Sequence, residues 1–398
     1  MTLSIRCITP GKGYYFFGYY DKCPWDDRGT RLLAVRSGFM DRPPASADEV
    51  TVGYVDLTSN RGFVPLAETG AWNWQQGCML QWLPSGEVVF NVRLKDRFAA
   101  VVLDPETGKR RFLPRPVYAV SRDGKNALSL NFARLHRHRP GYGYVGLADP
   151  WEHDPAPEDD GIHTMNLATG ETRLMISIRA IAETLDEGIP EGTFHWFNHL
   201  LFSPDGKRFV FLHRWRKPSG KGFATRMFTA AADGSRRFCL ANHGMVSHFD
   251  WRDPEHLLAW ARQAGTGDRY FLFRDRCDQV TPVGDGLLTE DGHCSYSPDR
   301  RWILTDTYPS PSDGKRTLLL YDTIGEKRID LGRLYGPFPE DHSYRCDLHP
   351  RWSRDGRKIC IDSIHEGDRR MYVIDASGIT EQIAPLNRRG TFNPAPSL

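Results

Sequence analysis

The 398-residue chain carries 52 Lys and Arg against 50 Asp and Glu, a formal net charge of +2. That balance gives no electrostatic reason to expect nucleic acid or an acidic membrane surface as a partner. Hydrophobic residues make up 40% and aromatics 12%, enough for a buried core, and no apolar run is long enough to cross a bilayer or act as a secretory signal. The eight cysteines are scattered with no CxxC pair, the pattern of reduced thiols in a cytoplasmic protein.

Taken in order, residues 1–60 hold a first unit in which Gly18-Tyr19-Tyr20-Asp21-Lys22 leads into a strand, a turn at Asp26-Asp27-Arg28-Gly29 and a returning strand at 31–36. Residues 40–48, with two prolines and mixed charge, read as a rim loop. The second unit, 61–112, turns at Pro84-Ser85-Gly86 and contains Trp72-Asn73-Trp74-Gln75-Gln76, which suits a polar, stacking surface. The third turns at Ser121-Arg122-Asp123-Gly124 and is then interrupted by a run of Arg and His from Arg134, an acidic loop at 158–160 and a predicted helix over 176–185. The central unit reads as four short strands, 198–202, 208–215, 225–230 and 236–240. Its hairpins turn at Ser203-Pro204-Asp205-Gly206 and Ala232-Asp233-Gly234, where Pro presets φ and Gly accepts positive φ. Three further units turn at Glu255, Arg300 and Gly356, and the tail 391–398 reads as loose.

Seven such units of four strands predict an all-β fold, a single seven-bladed β-propeller over residues 1–398 with four-stranded antiparallel blades. From Gly124 to Gly206 is 82 residues, against 38 to 57 between the other anchors, so an insertion at about 134–194 is expected over one rim.

Aligned on their turns, four consecutive units place a histidine at one level of the innermost strand: His199, His248, His293 and His349. Inner strands line the channel, so the imidazoles should converge, a divalent-metal signal. Asp347 stands two residues before His349 and shares its face. The expected ligands are therefore His248, His293, Asp347 and His349, suited to Mn, Zn or a similar ion rather than Ca. Cys294 and Cys346 lie one residue from ligands and should face away. Seven residues after the anchors come Arg36, Arg93, His213 and Arg262, a rim of cations able to pair with carboxylate or sulfate. Asn198 and Arg226 belong to the same neighbourhood.

Around these residues the chain resembles the oligogalacturonate lyase family and, more loosely, other seven-bladed propeller polysaccharide lyases such as the ulvan lyases. The similarity runs with gaps from Tyr20-Asp21-Lys22-Cys23 to Met371-Tyr372-Val373-Ile374-Asp375. Its best parts are Asn198-His199, Phe211-Leu212-His213, Thr225-Arg226-Met227-Phe228, Ser247-His248-Phe249-Asp250-Trp251, Gly292-His293 and Leu348-His349-Pro350. The resemblance implies a divalent ion, typically manganese, held by three histidines and a glutamine, with an arginine as proton acceptor. By position two of those histidines fall on His293 and His349, and the arginine falls on Arg226. Asp347 stands where the third histidine would be, and Tyr344 where the glutamine would be. The expected function is then a lyase cleaving uronate-containing glycans by metal-assisted β-elimination on an acidic oligosaccharide. Arg226, His213 and His199 are its candidate bases, Tyr20 its candidate acid, and Arg36, Arg93, Asn198 and Arg262 its substrate contacts. The alternatives are a non-catalytic propeller that binds an acidic glycan or a protein with a structural metal, and third a metal-assisted hydrolase.

Overall fold

The computed structural model describes residues 4–59, 62–185, 191–216 and 220–380; the 391–398 tail falls outside them. Among these residues the strands form seven four-stranded antiparallel sheets, and in six of them the strands follow one another in chain order from inner to outer edge. The seventh combines Arg351–Trp352, Lys358–Ser363 and Arg370–Asp375 with Ile5–Cys7, which pairs as the outermost strand through Ile5 with Ile374 and Cys7 with Tyr372. The ring is thus closed by joining the two ends of the chain in one blade, which ties the first unit to the last by backbone hydrogen bonds.

One turn chemistry builds most blades. In the central blade Ser203 Oγ donates to Asp205 Oδ1 at 2.7 Å and accepts from Arg208 N at 3.0 Å, while Gly206, at φ 70°, donates to Ser203 O. The same arrangement recurs at Ser121/Asp123/Gly124 and Ser353/Asp355/Gly356, and at Ser297/Asp299 with Arg300 taking the left-handed position at φ 64°. In six of the seven blades an aromatic side chain stands four residues before the anchor, Val120 taking that place in the third. Trp25, Trp251, Tyr296 and Trp352 are all buried there.

The central strands run His195–Phe202, Arg208–Arg216, Phe223–Ala231 and Phe238–Ala241, close to the expected spans. The third blade departs from the expectation. Its outer strands, Gly161–Asn166 and Thr172–Ser177, lie inside the stretch read as one insertion, so the extra chain is split in two. The first part carries the helix α1, Phe132–His138, started by Asn131, whose side chain accepts from Ala133 N and Arg134 N. The second carries α2, Ile178–Ala182, shorter than the 176–185 expected because the strand continues to Ser177, which caps the helix through Ala180 N. The Trp72 to Gln76 stretch is buried rather than a surface. Its indoles donate to Asp48 O and Arg42 O in the 40–48 loop, which folds over them.

Candidate metal centre and channel

Seven residues before the turn anchors, successive blades carry Lys22, Met79, Val117, His199, His248, His293 and His349. Met79, His199 and His349 hold φ of 55°, 51° and 42°, an unusual backbone for residues with a Cβ. In blades four and five the ladder is also irregular there, between Asn198 and Leu201 and between Val246 and Phe249. The chain leaves sheet pairing at this level, and four imidazoles gather around one ring, that of Tyr19. Its centroid is 5.0 Å from His199, 6.3 Å from His248, 5.9 Å from His293 and 5.0 Å from His349.

Tyr19 reaches the axis because its segment is clamped to the last blade. Phe17 N donates to both oxygens of Asp362, and Arg351 ion-pairs with Asp362 while donating to the carbonyls of Gly18 and Tyr19. Gly18, at φ 135°, leaves no room for a side chain, since a Cβ would lie 2.8 Å from Gln76 O. Tyr20 points elsewhere: its hydroxyl donates to Phe249 O at 3.0 Å and accepts from Phe249 N at 2.9 Å. The candidate acid is therefore committed to the backbone of blade five, and among the described residues Tyr19 is the tyrosine whose buried hydroxyl has no partner.

His293, Asp347 and His349 present ligand atoms that lie within 4.8 Å of one another. Asp306 accepts from both the backbone N–H and Nδ1 of His293, at 2.8 and 2.9 Å, which fixes the ring with Nε2 toward the group. That Nε2, and both ring nitrogens of His349, are buried without hydrogen-bond partners. Asp347 Oδ2 stands 4.0 Å from Nε2 of each histidine. The carboxylate also receives Arg345 Nε at 2.6 Å and faces Arg316 Nη1 at 2.8 Å. Burial alone would raise the Asp347 pKa, but Arg345 and Arg316 outweigh it and hold the carboxyl well below its ordinary range. Two orphaned imidazoles and an ionised carboxylate fit a divalent ion of borderline softness. His248 lies outside this set. Its ring is 4.2 Å from that of His293, but Nδ1 is held by Asp291 at 2.9 Å. Cys294 packs in the core between blades five and six, and Tyr344 against the core of blades one and two, so neither joins the group.

The other expected site residues are distributed differently. His199 is in the channel, with Nδ1 3.3 Å from Gln76 Nε2 and 3.4 Å from Tyr118 Oη. Asn198 beside it is buried, accepting through Oδ1 from Tyr118 and from His199 N. His213 was expected on the rim, but alternation along its strand puts it with Phe209 and Phe211 on the side facing blade three. It meets His195 Nδ1 at 3.0 Å and Arg226 at 3.2 Å. Arg226 in turn donates to the carbonyls of Ile181 and Thr184 at the end of α2. These two candidate bases are thereby built into the support of the insertion. Arg36, Arg93 and Arg262 form no common rim. Arg36 donates to Thr51, Arg93 to Val145 O, and Arg262 is paired with Asp268 at 2.7 Å on the exposed side of blade five.

Among the cations that the structure does bring to the channel are Arg345, Arg316, Arg139 and Arg214, joined by Tyr142. Arg345 Nη2 donates to Tyr142 Oη at 3.0 Å, and the Tyr142 ring lies 5.7 Å from His199. The i, i+2 spacing of Arg345 and Asp347 is a signal by which the sequence could have pointed to one of these. Nothing comparable marked Tyr142, which comes from the inserted chain.

No family model matches the chain, and no curated protein matches its sequence. Solved structures do share the architecture. An oligogalacturonate lyase in complex with manganese superposes with a TM-score of 0.65 at 15% identity, over 94% of this chain and 96% of that one. An oligogalacturonate lyase from Vibrio parahaemolyticus gives 0.64 at 13% identity, over 94% and 97%. The β-propeller domain of the Trilobed protease from Pyrococcus furiosus gives 0.52 at 12% identity, over 92% and 95%. Among the described residues no helix is long and apolar enough to cross a membrane. At these identities the likeness establishes the fold that the chain has, a seven-bladed β-propeller of the kind on which oligogalacturonate lyases are built.

Proposed function

We propose that the protein is a lyase that cleaves a uronate-containing glycan by metal-assisted β-elimination in the channel. The observation that carries this reading is the meeting of His293, His349 and Asp347 with ring nitrogens left unpartnered in a buried site. A similar fold in a lyase that holds manganese supports it. His293, His349 and Asp347 would hold the ion, manganese in preference to zinc, and it would supply positive charge against the substrate carboxylate as the carbanion-like state develops.

In the elimination a base takes the proton next to the carboxylate, the C–H electrons form the new C4–C5 double bond, and the C4–O bond breaks as the leaving oxygen gains a proton. His199 is the base in this reading. Burial first, and then the charge of Arg214, keep its pKa well below the ordinary value, so the ring is present as the free base at neutral pH. Tyr19 is the acid. Burial raises its pKa well above the usual phenol value, so it stays protonated, and its hydroxyl has no other commitment. Arg345 acts through Asp347 and Tyr142 by fixing both.

The second reading, a propeller that binds an acidic glycan without cleaving it, is favoured by one feature: Asp347 is already neutralised by two guanidinium groups. Unsaturated uronates absorb in the near ultraviolet, which separates the two. Pectic, glucuronan, ulvan and glycosaminoglycan fragments are incubated with the protein, with and without manganese. A rise in absorbance that chelation abolishes is expected; no rise on any of them would leave the binding reading standing.

A further inference from the structure

Buried arginines in this molecule have partners. Arg134 pairs with Asp149 and Arg351 with Asp362, while Arg369 donates to the carbonyls of Trp74 and Arg345. Arg214 is the exception among the described residues. It is 5% exposed, its Nε has no hydrogen-bond partner, and neither a carboxylate nor a carbonyl meets its guanidinium. Its neighbour is another cation. Arg139 lies with Cζ 5.1 Å from the Phe223 ring, and Arg214 Cζ is 4.8 Å from the same ring. Arg139 also lies 4.9 Å from the Tyr142 ring, and its Nε is likewise buried without a partner.

We propose that Arg139 and Arg214 form a seat for the carboxylate of an acidic sugar, distinct from the His293–Asp347–His349 group and joined to it through Tyr142. The identity of the ligand rests on the uronate reading above; the existence of an anion seat does not. A buried cation without a counter-charge is costly, and the charge of Arg139 nearby adds to the cost for Arg214, which a chain keeps when the missing anion arrives with a ligand. Guanidinium forks match the planar, two-oxygen face of a carboxylate, and the flanking Phe223 and Tyr142 rings wall the seat with apolar surface. Burial and then the charge of Arg139 lower the Arg214 pKa to about 10, which still leaves it charged at neutral pH. The link to the centre is physical. Tyr142 carries Arg139 on its ring and accepts from Arg345 on its hydroxyl, and Arg345 holds Asp347. Both Arg139 and Tyr142 come from the chain inserted after α1, so this segment brings the seat to a ring that otherwise lacks it.

The test is a thermal-shift and calorimetric titration of the full chain with sodium glucuronate, against glucose, sodium chloride and glucose 6-sulfate, with and without chelator. Glucuronate is expected to raise Tm and to go on binding when chelator is present, whereas glucose and chloride do not. Arg214→Met is expected to melt higher than the parent, since an unpaired buried charge is gone, and to lose at least about tenfold in glucuronate affinity. Arg139→Met, at a partly exposed position, tests the same seat if the first variant folds poorly. No glucuronate shift beyond chloride, or unchanged affinity in both variants, overturns the proposal. Tighter binding of glucose 6-sulfate overturns the carboxylate assignment. Glucuronate binding that both variants lose, with no uronate oligosaccharide cleaved, upholds the seat and sinks the lyase reading instead.

Discussion

Tyr19 lies nearly parallel to His199, ring centroids 5.0 Å apart and 13° between planes, while the adjacent Tyr20 bridges the backbone of Phe249. Two neighbouring phenols thus have opposite occupations, one structural and one without a partner. Removing Tyr20's hydroxyl leaves a buried N–H and a buried C=O unpaired, at about 1–3 kcal/mol each. Tyr20→Phe is therefore expected to lower Tm clearly. Tyr19→Phe removes an unpartnered group, so Tm should hold or rise while uronate turnover falls by roughly tenfold or more, within the usual worth of a general acid. Equal losses of stability in the two variants would contradict the assignment.

The metal reading makes its own demand. His293→Ala or His349→Ala should lower manganese per chain after dialysis, measured by elemental analysis. Asp306→Asn, which touches no ion but orients His293 through Nδ1, should weaken manganese binding by about 10- to 100-fold. Parental metal content in all three variants would remove the site.

Asp362 is buried, ion-paired with Arg351 and hydrogen-bonded to Phe17 N, and so fastens the Tyr19 segment to blade seven. Asp362→Ala leaves Arg351 as an uncompensated buried charge and should cost about 3–5 kcal/mol in denaturant unfolding.

Acid should loosen the blade three and four region. Burial, with Arg134 next, lowers His195 to about 4 and His138 to about 3, and burial with Arg115 lowers His163 to about 4. Each folded-state pKa lies below the unfolded value near 6.5, so the unfolded chain binds more protons between the two. The stability these neutral rings contribute is full above about pH 6.5 and is lost as pH falls toward 4 and then 3. Tm measured from pH 7.5 to 4 should fall with a slope that His163→Phe reduces. A flat profile over that range would mean the rings are already accommodated as cations.

The recurring Ser-x-Asp-Gly turn made the fold legible because it fixes strand ends by local hydrogen bonds, which a sequence carries intact. The same turns put the four histidines in register, and the convergence on Tyr19 follows from that register. Where the chain offered no local ruler, the reading went astray. His213 was set by counting from a turn, but strand alternation decides the face, and Phe209 and Phe211 claim that face for the core between blades. Cationic rim positions in register proved to be held by separate partners, Asp268 for Arg262, Thr51 for Arg36 and the Val145 carbonyl for Arg93.

By itself, the sequence determined seven blades, their turns and the level of four imidazoles, because each is written in contacts between residues close along the chain. The tertiary structure alone decided that Ile5–Cys7 closes the ring, that Tyr19 rather than Tyr20 gathers the four imidazoles, and that Arg139 and Arg214 pack against the one Phe223 ring. Those outcomes depend on side chains far apart in sequence competing for the same buried space, where pairing, charge and room for a Cβ select one arrangement over others the local pattern permits equally well.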